Sequence, residues 1–482
     1  MHIVFAASEC TPWAKTGGLA DVVGALPHAL AKLGHKVEVF LPYYRQVAKQ
    51  VPGAPVVLQS VTIPFEYYNR FVRILDGGKT EGVQYYFIDS PEMFDRESFY
   101  ATPSGDYADN AERFGLFSRA VIEATKVLGV PDIFHVHDWQ AAMISVYLRS
   151  TYYFDPVFRK VPTVLSIHNA GYQGWFPPQT MQKLLLPWDM FTLDKLEQFD
   201  NVNFLKGGIV YADAITTVSR TYAEEIKTAE FGSGLEDTLQ KRSADLTGIL
   251  NGVDYEEWDP SNDPLIAAHY SPEDLSGKKE CRRDLLHAFG FHGVSEDTAV
   301  IGIVSRFATQ KGFDFIAQVA DELVKENVAI VALGTGEAYY EHLLTGLAER
   351  YPEKMRVRVA YNNMLAHKIE AGADLFLMPS RYEPCGLNQI YSLKYGTIPV
   401  VRATGGLQDT IDEQADGGGN GFKFWGYSAW AMLDAIKRAL ALFQDKEKWT
   451  AMMQRGMVQD FSWDGPAKEY VKVYERAIMN RS

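Results

Sequence analysis

Three loops in this sequence place cations beside glycines at points where an apolar run gives way to a helical pattern. In "KTGGLADVVGALP", Lys15 stands just ahead of Gly17 and Gly18. Two glycines at such a turn let backbone amides approach a ligand, and the following helix aims its positive end at the same place. A lysine added there suits phosphate. The segment fits neither GxxxxGK[ST] nor GxGxxG, so the general nucleotide-binding motifs do not apply. Taken alone, the loop reads equally well as a glycine turn with a solvated lysine. In "SRFATQKG", Arg306 and Lys311 flank a strand end and a helix start, where two cations could clamp a diphosphate and stabilise its charge on departure. Singly, each reads equally well as a surface cation. "SRYEPCGLNQ" sets Glu383 shortly before Gly386, Leu387 and Asn388 at another helix start, a further candidate anion site. A carboxylate would repel phosphate, so Glu383 is expected to face a neutral, hydroxyl-rich part of a ligand.

A second set is polar rather than cationic. "HVHDWQ" and "SIHNAGYQG" put His137, Asp138, His168 and Asn169 at strand ends. His135 and His137 share a strand face, but no further carboxylates or histidines complete a metal-hydrolase pattern. Binding of sugar hydroxyls, or plain capping of strand ends, fits these residues better. "LGTGE" (Leu333–Glu337) imitates a dinucleotide fingerprint but has Tyr339 where the third glycine should fall.

The elements that must hold these loops alternate. "HIVFAAS", a loop, "LADVVGALPHALAKLG" and "HKVEVFLP" make a βαβ unit, with Pro27 expected to interrupt the helical stretch. "YYFIDS", "DIFHVHD", "TVLSIHN" and "DAITTVS" read as further buried strands, each ending in polar residues. The alternation restarts after "GILNGVDYEEWDP" and runs from Thr298 through "TIPVVRA" almost without a break. This predicts an α/β protein of two Rossmann-like, doubly wound domains, 1–248 and 249–461, facing a deep cleft. The last helical stretch, about residues 462–482, could pack back on the first domain.

Bulk properties bound the partners. A chain of 482 residues exceeds one ordinary core. No apolar run reaches membrane-spanning length, and "MHIVFAASEC" reads as a strand rather than an export signal. A net charge of −14 argues against nucleic acid or an anionic membrane as partner. Three scattered cysteines form no disulfide framework and no zinc spacing, so a reducing cytoplasm is the expected home.

Together, "KTGGLADVVGALP", "HVHDWQ", "SIHNAGYQGWF", "ILNGVD", "SRFATQKG" and "SRYEPCGLNQIYSLKYGTIPVVRATGGLQDT" make the chain resemble the bacterial glycogen synthases and plant starch synthases, from near its first residue to beyond Gly406. The resemblance implies a retaining glucosyltransferase of the GT-B type. Its first domain would take the glucan and its second the sugar nucleotide, ADP-glucose or UDP-glucose, with no cofactor and no metal. By the same resemblance Lys15, Arg306 and Lys311 hold the diphosphate, Gly17 and Gly18 give it room, and backbone near Cys385, Gly386, Leu387 and Asn388 assists. Glu383, Asp138, His168 and Asn169 surround the glucose. Asn251, in "ILNGVD", lies on the donor side, and Tyr361 stacks on the base. Two departures stand out: "NAGYQG" replaces the commoner "NLAYQG", and Asn388 stands where many members carry threonine. Three rivals share parts of this pattern. A glucan phosphorylase would need a pyridoxal phosphate lysine and would absorb visible light. A silent sugar-nucleotide sensor would have no need of the whole set of cations. A nicotinamide-dependent dehydrogenase is disfavoured by Tyr339.

Overall fold

The computed structural model describes residues 1–481. By contacts the chain divides into two compact units, one of residues 1–252 with 463–481 and one of residues 253–462.

The first unit is built on a nine-stranded sheet: β1 (His2–Ala6), β2 (Lys36–Pro42), β3 (Val56–Pro64), β4 (Asn69–Thr80), β5 (Val83–Asp89), β6 (Ile133–His137), β7 (Thr163–Ile167), β8 (Ala214–Thr217) and β9 (Leu246–Gly248). Its spatial order is β9-β8-β7-β6-β1-β2-β5-β4-β3. All pairings are parallel except those of β4 with β3 and β5. The central strands β6 and β7 are buried at every position, as a sheet covered on both faces requires.

The antiparallel β3–β4 arm is absent from the sequence expectation. It lies at the sheet edge with one face in solvent, and its alternating polar residues carry a weaker signal than an all-apolar strand.

Helix α1 (Gly18–Lys32) buries Leu19, Val22, Val23, Leu26 and Leu30, one face of a helical period, and ends before Gly34 in left-handed backbone. It continues through Pro27 without ending, contrary to the sequence expectation of a break. Proline cannot donate to the carbonyl of Val23, four residues back. That carbonyl lies 3.5 Å from the Cys10 thiol, whose single S–H is shared with the Thr11 carbonyl at 3.2 Å.

Helix α2 (Asn110–Leu128) anchors the preceding segment, and α3 (Asp138–Leu148) is buried at all eleven positions. After the second unit the chain returns as α5 (Asp464–Arg481), which packs on α1 and β7.

The second unit carries six parallel strands: β10 (Ala299–Val304), β11 (Val328–Gly334), β12 (Met355–Val359), β13 (Leu375–Met378), β14 (Ile398–Arg402) and β15 (Phe422–Phe424). Their order is β12-β11-β10-β13-β14-β15. Apolar clusters cover both faces, as a doubly wound sheet demands. Helix α4 (Asn388–Lys394) follows the loop after β13.

Candidate functional site

In the first unit the site residues sit where β1, β6 and β7 end. Lys15 leaves the loop after β1 half-exposed, and its Nζ lies 2.6 Å from Asp21 Oδ1 on the first turn of α1. Burial pushes the Asp21 carboxyl up, and the Lys15 ammonium pulls it partly back. Behind the loop, buried Glu9 accepts from Thr16 N at 2.5 Å and Gly17 N at 3.3 Å. The Gly17 amide, expected to approach a ligand, is therefore turned to a carboxylate.

Gly17 has extended backbone and Gly18 is helical, so neither needs glycine for its conformation. Among the described residues, a Cβ on either would meet no atom within 4 Å beyond its own chain neighbours and helix backbone. The protein's own packing leaves the space beside both glycines open.

Asp138 opens α3 with φ +53°, a left-handed conformation costly for a residue with a side chain. Its carboxylate accepts the backbone N–H of His168 at 2.7 Å and that of Asn169. Burial pushes its pKa up to about 7, the His168 amide lowers it, and negative Glu9 raises it further. His168 Nε2 lies 2.9 Å from His137 Nδ1. Burial pulls the His168 imidazole down to about 3 and holds His137 far below its ordinary range, so both are neutral at pH 7.

His135 has both ring nitrogens engaged, Nε2 with Ser166 Oγ at 2.7 Å and Nδ1 with the Tyr474 hydroxyl of α5 at 2.8 Å. Among the described residues no three His, Cys, Asp or Glu side chains gather as metal ligands. Asn169 Oδ1 caps Gly171 N at 2.9 Å. Asn251 is buried, and its Oδ1 has no hydrogen-bond partner among the described residues.

In the second unit a cavity of about 180 Å³ lies at the ends of β10 and β13. Its lining gathers Arg306, Lys311, Glu383, Gly386, Leu387 and Asn388. The Lys311 ammonium donates to Glu383 Oε2 at 2.6 Å, and Ser380 Oγ donates to the same oxygen at 2.9 Å. Glu383 thus meets a cation directly, a pairing the sequence reading did not anticipate.

Gly312 ends the short turn that carries Lys311, in left-handed backbone. Asn388 spends its side-chain amide on the carbonyl of Val304, the last residue of β10, at 2.8 Å. It fixes the helix start to the strand. Cys385 is buried and outside the lining; Tyr361 is 85% exposed, beyond β12, and also outside it.

The sequence reading missed Glu9, Asp21 and Ser380, and it gave His137 no link to His168. A carboxylate a few residues ahead of a glycine-lysine loop was the only available sign of Glu9.

Two doubly wound units with these loops at their strand ends have counterparts among known proteins. Residues 2–241 match the starch synthase catalytic domain, and residues 288–454 match the glycosyl transferases group 1. The chain is a glycosyltransferase that moves a hexosyl unit. The glycogen synthase of Koribacter versatilis (strain Ellin345) is 58% identical over 484 aligned positions, covering 100% of this chain and 99% of the relative. That of Anaeromyxobacter dehalogenans (strain 2CP-C) is 43% identical, covering 98% and 99%. Among solved structures, the catalytic domain of starch synthase IV from Arabidopsis thaliana, bound to ADP and acarbose, superimposes with a TM-score of 0.89 at 32% identity, over 99% of each chain. A sucrose-phosphate synthase from Thermosynechococcus elongatus shares the fold alone, with a TM-score of 0.60 at 16% identity over 99% of each chain. The chain belongs to the glycogen synthase family.

Proposed function

We propose that this chain transfers glucose from ADP-glucose to the 4-hydroxyl at the non-reducing end of an α-1,4-glucan such as glycogen, with the α configuration kept. One observation carries the reading: a single cavity holds Arg306, Lys311 and Glu383, with the carboxylate paired to the ammonium. As the glycosidic bond to phosphate breaks, the sugar becomes cationic and the diphosphate gains negative charge. An ion pair aligned with that separation stabilises it more than it stabilises the ground state. Arg306 and Lys311 then serve the diphosphate, with Lys15 assigned to the same leaving group. Glu383 serves the sugar as a positioning and electrostatic residue.

Asp138 and His168 have matching roles on the sugar. A neutral imidazole can exchange hydrogen bonds with hydroxyls, and a carboxylate favours a cationic anomeric centre. Gly17 and Gly18 give the donor room. Backbone of residues 385–388 lines its pocket, and Asn169, Asn251 and Tyr361 are assigned contacts with sugar, donor and base respectively. ADP in the starch synthase neighbour supports an adenine donor, and its acarbose supports a glucan acceptor.

The test is release of ADP from ADP-glucose, and of UDP from UDP-glucose, with and without glycogen. Glycogen-dependent ADP release is expected; absence of glycogen-dependent release from both donors would overturn the reading.

A further inference from the structure

We propose that Glu9 is a positioning residue for the diphosphate-facing lysine, holding the Lys15–Gly17 backbone by a carboxylate whose hydrogen-bonding positions are all occupied. The proposal rests on the reading that Lys15 serves the donor diphosphate.

Glu9 is 4% exposed. Its Oε1 accepts from the Thr16 hydroxyl at 2.6 Å and the Tyr100 hydroxyl at 2.7 Å. Its Oε2 accepts from Thr16 N at 2.5 Å and Gly17 N at 3.3 Å. An ionised carboxylate offers about four acceptor positions, and here each has a donor. Two of those donors are the backbone amides directly following Lys15.

The far side of the clamp is itself fixed. Tyr100 belongs to the segment between β5 and α2. Asn110 Nδ2 donates to the Tyr100 carbonyl at 2.9 Å, and fully buried Arg113 donates to the carbonyls of Met93 at 2.7 Å and Phe99 at 2.8 Å. A packed arginine thus braces Tyr100, Tyr100 braces Glu9, and Glu9 braces the loop.

The loop needs bracing. Gly17 gives the backbone freedom and no packing of its own, while a cation acting on a transition state must be placed to within about 1 Å. Asp21 restrains the Lys15 side chain, the Cys10–Ala14 bridge holds the backbone before it, and Glu9 ties down the two amides that follow it.

Gln and Ala at position 9 separate geometry from charge. A glutamine oxygen can keep both amides, while its NH₂ donates to the two hydroxyls, which can turn to accept. Alanine frees the loop. With ADP-glucose and glycogen, Glu9→Ala should lower kcat ~10- to 100-fold, while Glu9→Gln stays within ~3-fold of wild type. Titration calorimetry with ADP should show ~10-fold weaker binding for Glu9→Ala and at most ~2-fold for Glu9→Gln.

The decisive measurement is a double-mutant cycle with Lys15→Ala. If Glu9 acts through the lysine, the pair is no more than ~3-fold worse than Lys15→Ala alone. Fully multiplicative losses overturn the proposal, as does Glu9→Ala within ~3-fold of wild type or Glu9→Gln as impaired as Glu9→Ala. Should Glu9→Ala not fold, Tyr100→Phe takes its place in the cycle. It should cost ~3-fold without adding to Lys15→Ala, and a loss that adds in full overturns the proposal. Failure of the underlying reading looks different: the wild-type protein itself would release no ADP with glycogen present.

Discussion

The glycines of the glycine-lysine loop in the first unit and two glycines packed against a cavity loop in the second are there for opposite reasons. At Gly17 and Gly18 the backbone is ordinary and an added Cβ would touch no described atom within 4 Å beyond its own chain neighbours and helix backbone. At Gly406 a Cβ would stand 1.9 Å from the Cys385 carbonyl oxygen, and at Gly312 it would stand 2.0 Å from that of Pro379. The second pair is required by the fold, whatever binds there. Among the described residues nothing in the packing requires the first pair, and the proposed donor supplies a reason for their missing side chains.

The sharpest contrast is in the cations. Arg306→Ala combined with Lys311→Ala should lower kcat by at least ~10³-fold, read as ADP release, since each cation stabilises charge that grows in the transition state. Lys311→Ala also leaves Glu383 buried without its ion pair, so a drop in melting temperature should accompany it and not Arg306→Ala. Equal melting of the two single variants would break that assignment.

The glycines come next. Gly406→Ala should unfold or destabilise the second unit by more than ~3 kcal/mol. Gly18→Ala should melt at or slightly above the wild-type temperature, because alanine is the better helix former. Its turnover should nevertheless fall ~10-fold or more, for want of room for the donor. Normal turnover in Gly18→Ala would erase the distinction between the two kinds of glycine.

Asp138 and His168 give a pH signature. With its pKa raised to about 7, the Asp138 carboxyl becomes anionic only as pH rises through that value. Turnover should rise across pH 6–8, and Asp138→Asn should flatten that limb as well as lower it. The linkage runs the other way for stability. The native state holds the Asp138 proton longer than the unfolded chain does, so stability is lost as pH climbs from the ordinary carboxylate range to about 7. Denaturant titrations of wild type and Asp138→Asn should therefore converge as pH falls to 4. His168, depressed to about 3, gives the opposite slope between pH 3 and the ordinary histidine range, and it stays neutral throughout the activity limb.

The smallest effect belongs to Tyr474→Phe. Losing its bond to His135 should cost about 1 kcal/mol of stability in a chemical melt and leave turnover within ~2-fold. A large loss of turnover would show that α5 reaches the chemistry.

Most of the parallel architecture was legible because its strands are short, mostly apolar runs ended by polar residues. The cavity residues Arg306, Lys311 and Glu383 were legible for the same reason, each standing just past such a run. What escaped depended on partners distant in sequence. Pro27 reads as a helix breaker unless one knows that the Cys10 thiol lies within reach of the orphaned carbonyl. Glu9 reads as one acid among many until Thr16, Gly17 and Tyr100 close around it. The β3–β4 arm escaped because an edge hairpin with one wet face scatters polar residues through its strands.

The return of α5 to the first unit bears on how the polypeptide is made. The ribosome delivers residues 1–252 long before it releases the segment from Trp463 onward, so until then His135 lacks Tyr474, and α1 and β7 lack their cover. The stretch 253–462 is continuous and can close on itself while its predecessor still waits. The half synthesised first is therefore the half completed last, and a nascent chain stalled near residue 460 would show chaperones an uncapped sheet.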